Sequence, residues 1–213
     1  MQIVLNRVAP SYFDITSVSD SEIWSKQITF KESEHVHIIA PSGSGKTSLV
    51  HFIYGMRKDY NGIVAYNTNN IGQFTLENFS DFRQNQISIV FQDLRLFNDQ
   101  TVRKNIELKR QLNPYHSEDK ITEMAEQLGI GNKLERIANT CSYGEQQRIA
   151  IIRSLMQPFQ FLLLDEPFSH LDDNNREKCM WLIADECKAR NASMIFADLK
   201  KLDFFDGERI LRL

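Results

Sequence analysis

The chain has 213 residues, 42% of them hydrophobic, with 25 basic and 28 acidic side chains and a formal net charge of −3. That is enough apolar material for one sizeable α/β domain, and the charge balance gives no ground for expecting nucleic acid as a partner. The cysteines, Cys141, Cys179 and Cys187, lack metal-ligand spacing and are too few for a disulfide framework, no apolar run approaches a membrane span, and the amino terminus does not read as a signal peptide; a reducing compartment is expected, with any membrane role exerted through a partner.

Residues 2–8 alternate weakly, as a first strand does, and the polar stretch 11–21 reads as turns. Two further strands are expected at 23–30 and 34–40, the second nearly all apolar, as a strand buried on both faces would be. It runs into Ala40-Pro-Ser-Gly-Ser-Gly-Lys-Thr47, with a helix expected over 47–56. Strand, glycine-rich loop and helix together make a phosphate cradle. Gly43 and Gly45 let several N–H groups turn toward one anion, and the helix adds the positive end of its dipole. The residues expected around the phosphates are Pro41, Ser42, Gly43, Ser44, Gly45, Lys46, Thr47 and Ser48. Lys46 acts as a point charge at the outer phosphates, and the Thr47 hydroxyl is a ligand for Mg²⁺. Ala40 stands where the motif G-x-x-x-x-G-K-[ST] has its first glycine. Alanine fits there at negative φ; positive φ would cost about 1–2 kcal/mol.

Tyr60-Asn-Gly-Ile-Val-Ala-Tyr reads as a turn feeding an edge strand, 77–85 as a short helix and 86–91 as an apolar strand. From 93 to 158 polar, helix-forming sequence dominates. Helices are expected at 102–111 and 117–128, the latter capped by Ser117 and closed by Gly129, and the region reads as a helical insertion. The apolar run 159–164 reads as a buried parallel strand, 172–190 as a helix, 193–197 as a strand and 207–213 as a last edge strand. Strands alternating with helices argue for a largely parallel sheet. The run at 159–164 ends in Asp165-Glu-Pro, delivering two carboxylates to the sheet edge where ligands of parallel sheets bind. Asp165 is placed to hold Mg²⁺ through water, and Glu166 to orient and deprotonate an attacking water.

Three further motifs follow in order: Ile89-Val-Phe-Gln-Asp93, Cys141-Ser-Tyr-Gly-Glu-Gln-Gln-Arg148 and Ser169-His-Leu-Asp172. With the phosphate loop and Asp165-Glu-Pro, they make the whole chain resemble the ATP-binding subunit of an ABC (ATP-binding cassette) transporter. The stretch from Phe91 to Ile106 is similar to the branch containing lipoprotein-release, macrolide-export and cell-division ATPases. The resemblance implies a P-loop NTPase fold of the ABC type in a single domain over 1–213. Its core, 1–92 and 159–213, carries a mainly parallel sheet and an antiparallel β region; 93–158 is an inserted helical subdomain. It implies ATP and Mg²⁺ as ligands and ATP hydrolysis driving a separate integral membrane permease subunit. That permease would dock in a groove near 94–102, and the chain would lie in the cytoplasm at the inner face of the membrane. It also implies a homodimer, or a heterodimer with another such ATPase. Gln92 would sense Mg²⁺ and the attacking water. Ser142 and Gly144, at the start of a helix, would face the γ-phosphate held by the other subunit. An aromatic near the amino terminus stacks on adenine in this family; Phe13 matches best, with Tyr12 its neighbour. Trp24, on an expected strand, is read as core, and His35, His37, His51 and His116 as structural or exposed.

Other readings are a regulatory ATP-binding module with weak hydrolysis acting on a membrane partner, and a soluble non-transport ABC protein. The chain departs from the pattern at Ala40, at Cys141 for leucine, and at Tyr143, which puts a ring where a glycine lets a phosphate approach. It also has Asp198 where a histidine is expected, and no histidine follows His170. An ionised aspartate accepts but cannot donate, and a phosphate repels it. Asp198 is therefore expected to turn away, pair with Lys200 or Lys201, or take up a proton. On this ground hydrolysis is expected to be slow.

Overall fold

The structure, a computed structural model, describes residues 1–14, 20–202 and 209–213. Among them two sheets form. In the antiparallel sheet β1 (Ile3–Pro10) lies between β2 (Gln27–Phe30) and β4 (Tyr60–Tyr66), and the two-residue β5 (Asn69–Asn70) makes the far edge. The parallel sheet runs in the order β6 (Ile87–Val90), β7 (Phe161–Asp165), β8 (Ser193–Asp198), β3 (His35–Ile39) and β9 (Arg209–Arg212). Between the strands run α1 (Lys46–Ile53), α2 (Leu76–Asn85), α3 (Val102–Leu112), α4 (Asp119–Gln127), α5 (Tyr143–Leu155) and α6 (Asp173–Ala189). No helix among the described residues is long and apolar enough to cross a membrane.

Side chains that alternate along the central strands serve two cores. Phe161 and Leu163 of β7, with Ile195 and Ala197 of β8, pack with β1, β2, β4 and α1. Leu162 and Leu164, with Met194 and Phe196, pack with α3, α4, α5 and α6. Both faces are covered, so the strands carry unbroken apolar runs. Register then sets the site. Asp165 lies opposite Ala197, and Ile39 opposite Asp198, so β7, β8 and β3 end side by side and their following loops leave from one edge.

The strand expected at 23–30 begins only at Gln27. Ser21 Oγ accepts from the N–H groups of Ile23 and Trp24, and Ser25 has φ 59, so the chain turns there. Trp24 is buried as expected, but in that turn rather than on a strand. β4 is not an edge strand, since β5 pairs with its far side. Ser117 is not a cap: α4 starts after Glu118, with no side-chain capping bond. Its other end is closed as expected by Gly129, at φ 69. Residues 15–19 of the expected turn region, and 207–208 of the expected last strand, lie outside the described residues.

Candidate functional site

The loop between β3 and α1 turns on two glycines in the left-handed region, Gly43 at φ 81 and Gly45 at φ 95. Ala40 is not among the positive-φ residues, so its methyl costs no backbone strain. Gly45 is also fixed by packing: a Cβ there would sit 3.1 Å from Trp24 and 3.3 Å from Phe13. As the N-cap of α1 it offers no side-chain partner, leaving first-turn N–H groups for an anion. Lys46 is buried. Its ammonium donates to the carbonyls of Ala40 and Pro41, both at 3.0 Å, and lies 3.2 Å from a Glu166 carboxylate oxygen. Ser44 Oγ ties back to the Pro41 carbonyl.

Asp165 is fully buried, and neither of its carboxylate oxygens has a hydrogen-bond partner among the described residues. Burial pushes its pKa up to about 6; the nearby Thr47 hydroxyl pulls against this, and the Glu166 charge adds to it. An orphaned buried carboxylate is completed by a cation or by water held on one. Thr47 Oγ1 donates to Gln92 Oε1 at 3.0 Å, and Gln92 Nε2 to Glu166 Oε2 at 3.4 Å. This hard-oxygen set fits Mg²⁺. Glu166 itself has φ 46, uncommon for a residue with a Cβ, and its N–H bonds the Ala197 carbonyl. That turn off β7 brings its carboxylate to Lys46.

Phe13, Ser42, Gly43, Gly45, Lys46, Thr47, Ser48, Gln92 and Glu166 line one cavity of about 250 Å³, together with Tyr12. Thr47, Gln92 and Asp165 line an adjoining cavity of about 340 Å³ with His51, Asp93 and Tyr143. Both aromatic candidates stand at the first cavity. Phe13 packs edge-on against Trp24, and Tyr12 is half exposed with its hydroxyl 2.6 Å from Ser48 Oγ. Arg57 lies over the Tyr12 ring, donates to Ser48 Oγ and pairs with Asp59. No sequence signal pointed to Arg57: Asp59 is two residues away, but Tyr12 and Ser48 meet it only in the fold. Of the histidines expected to be structural or exposed, His51 lines the second cavity, and His116 Nε2 lies 2.7 Å from Glu186 Oε2.

Ser142 and Gly144 line neither cavity. Ser142 caps α5: its Oγ accepts from the Glu145 N–H, and Glu145 accepts from the Ser142 N–H. Accepting leaves the hydroxyl proton free to donate. Gly144 lets α5 meet the 169–172 segment, since a Cβ there would lie 3.0 Å from the His170 carbonyl oxygen. Tyr143, between them, reaches back: its hydroxyl lies 3.3 Å from the Gln92 carbonyl oxygen, and its ring 4.3 Å from that of His170. Asp198 Oδ1 accepts from the Leu199 N–H at 2.6 Å. Burial raises its pKa, the Leu199 bond opposes this and the Glu166 charge adds to it. Its carboxylate is thus engaged with its own backbone and biased toward the protonated form.

A cleft of about 390 Å³ opens between Ile89, Phe91 and α3, lined by Arg95 and the exposed Phe97. The groove expected near 94–102 is only partly there. Leu94 and Val102 are buried, and Leu96 packs against the helical core.

Residues 25–169 match the family described as ABC transporter. The thiamine import ATP-binding protein ThiQ of Haemophilus influenzae (strain 86-028NP) is 34% identical over 171 residues, covering 79% of this chain and 77% of that protein. The ThiQ protein of Escherichia coli (strain UTI89 / UPEC) is 31% identical over 173 residues, covering 79% and 71%. Among solved structures, the dimeric bacterial ABC transporter cassette MJ0796 has a TM-score of 0.80 at 24% identity, covering 93% of this chain and 88% of that one. A post-hydrolysis state of MJ0796 bound to ADP and Pi has a TM-score of 0.79 at 23% identity, covering 94% and 88%. At these identities the likeness to the solved structures concerns the fold.

Proposed function

The chain belongs to the ABC transporter family, and from that premise we propose how its residues divide the work of an ATP-binding, ATP-hydrolysing subunit. The observation that carries the reading is the orphaned buried carboxylate of Asp165, set beside the Lys46–Glu166 pair and the Thr47–Gln92 bond at the mouth of a glycine loop.

The loop N–H groups of 42–48 and the Lys46 ammonium hold the phosphates. Lys46 exchanges its carbonyl partners for phosphate oxygens. Asp165, Thr47 and Gln92 would hold Mg²⁺, which supplies charge neutralisation at the phosphates. Glu166, freed from Lys46, takes the proton of the attacking water as its oxygen bonds to the γ-phosphorus and the bond to the bridging oxygen breaks, leaving ADP and phosphate. Gln92 orients that water through its amide. Such chemistry needs positioning and charge stabilisation more than covalent help. Phe13 and Tyr12 border the base. The Ser142 proton and the first N–H groups of α5 meet the γ-phosphate of a second cassette copy, so hydrolysis requires a pair of cassettes.

The conformational change drives an integral membrane permease docked over Phe97, with the chain on the inner face of the membrane. The thiamine import role of the ThiQ relatives supports such a transport partner. In this reading the partner selects the cargo. The test is MgATP turnover and calorimetric binding by purified protein. Lys46→Ala is expected to abolish both, because Lys46 is the only side-chain cation of the loop. Wild-type affinity in that variant would sink the assignment.

A further inference from the structure

Tyr143 occupies a place where a large side chain looks obstructive, yet its ring is folded out of the way onto His170, 4.3 Å between ring centres. His170 is itself tethered, with Nδ1 2.9 Å from Ser169 Oγ and its N–H bonded to Gln147 Oε1. The platform therefore fixes the direction in which the phenol points. It points into the cavity that holds Thr47, Gln92 and Asp165 of the same chain. Its one hydrogen bond among the described residues, to the Gln92 carbonyl oxygen, is 3.3 Å long. Hydroxyl donors normally sit at about 2.5–3.0 Å, so little is lost when this proton turns to a stronger acceptor.

The same edge of the sheet lacks a donor elsewhere. Asp198 is in register with Ile39 at the root of the phosphate loop, and its carboxylate accepts from the Leu199 N–H. Where that carboxylate is ionised it accepts only and a phosphate repels it, and its Oδ1 is already taken by its own backbone.

We propose that the Tyr143 hydroxyl donates a hydrogen bond to the terminal phosphate of the nucleotide bound in its own chain, filling the place that Asp198 leaves without a donor. The proposal rests on the ATP-hydrolysing reading above. It also removes the ground for expecting slow hydrolysis, which held only if nothing stood in for the absent histidine.

Tyr143→Phe deletes the hydroxyl and keeps the ring on His170, so the melting temperature should not move. In a Glu166→Gln background, where ATP is not consumed, calorimetry should show ATP binding weakened by about tenfold and ADP binding unchanged. A merely structural role would weaken both alike. In otherwise native protein, Tyr143→Phe should lower turnover by about 10²-fold. Adding Asp198→His should restore most of it, because the histidine supplies the missing donor from the neighbouring strand; alone, Asp198→His should change turnover little. Equal effects on ATP and ADP, no effect on either, or no recovery in the double variant would overturn the proposal. The parent reading fails by a different result, namely hydrolysis or binding indifferent to Lys46→Ala.

Discussion

Where β3 and β7 end, one buried polar group is left unsatisfied: among the described residues Asp165 has no hydrogen-bond partner, while its neighbour Lys46 is held by two loop carbonyls and Glu166. At the start of α5 the polar groups satisfy one another: Ser142 and Glu145 close a capping box, and Gly144 admits the His170 carbonyl. Fold stability alone would not keep a buried carboxylate without a partner, because desolvating it costs several kcal/mol. A capping box, by contrast, stabilises the helix it starts. The contrast supports the proposal that the loop side takes a ligand within one chain and that the helix side is a stable surface offered to another.

Four substitutions would break or sharpen that contrast. The largest effect is expected from Glu166→Gln, which removes the proton acceptor: turnover should fall about 10³-fold while ATP still binds. With ATP trapped, sedimentation should then show a dimer. A chain that stays monomeric at saturating ATP would contradict the offered-surface account.

Next is Asp165→Asn. The folded-state pKa, raised to about 6 from 3.8, means the folded chain binds this proton more tightly than the unfolded one. Stability is therefore lost as pH rises from about 4 to about 6, and stays reduced above that. Asparagine removes the penalty. At about pH 8 the nucleotide-free variant should be more stable, by on the order of 3 kcal/mol, and this advantage should vanish near pH 4. Equal melting temperatures at the higher pH would mean that the carboxylate is already satisfied.

Ser142→Ala should cost about 1 kcal/mol through the lost cap. It should slow turnover about tenfold and leave ATP affinity of the isolated chain unchanged. A weakened affinity instead would move Ser142 to the loop side. The smallest effect on the isolated chain should come from Phe97→Glu. Its exposed ring touches neither cavity, so turnover should change less than about twofold. Stimulation by a reconstituted permease should disappear, and preserved stimulation would show that the cleft has no docking role.

Much of the loop side was legible because its chemistry is local. One strand, two glycines, Lys46 and Thr47 lie within a dozen residues, and the apolar run before Asp165 announces where that carboxylate emerges. The errors arose where a single hydrogen bond outweighs pattern. Ser21 takes two backbone N–H groups and bends 23–26 out of the expected strand. Ser117 had the right composition for a cap, but α4 starts two residues later. Contacts between distant segments left no periodic trace: Arg57 over Tyr12, and Tyr143 beside Gln92, are fixed only once the chain has folded. Tyr143 could be flagged as an anomaly, but the His170 ring that turns it could not be foreseen.

The two-faced burial of β7 has a consequence for how the carboxylate is kept in place. A strand with one wet side resists slipping by a residue, because the slip would drive its apolar side chains into water. Phe161, Leu162, Leu163 and Leu164 are greasy on both sides, so exchanging odd for even positions offends neither core by polarity, only by shape. The hydrophobic run is blind to its own phase. What pins it is the punctuation at its end: Asp165, and the Glu166 N–H bonded to the Ala197 carbonyl. A one-residue slip would carry Asp165 about 3.3 Å along the strand and onto the opposite face. The register that places the site is thus held in turn by the polar end of the strand it places.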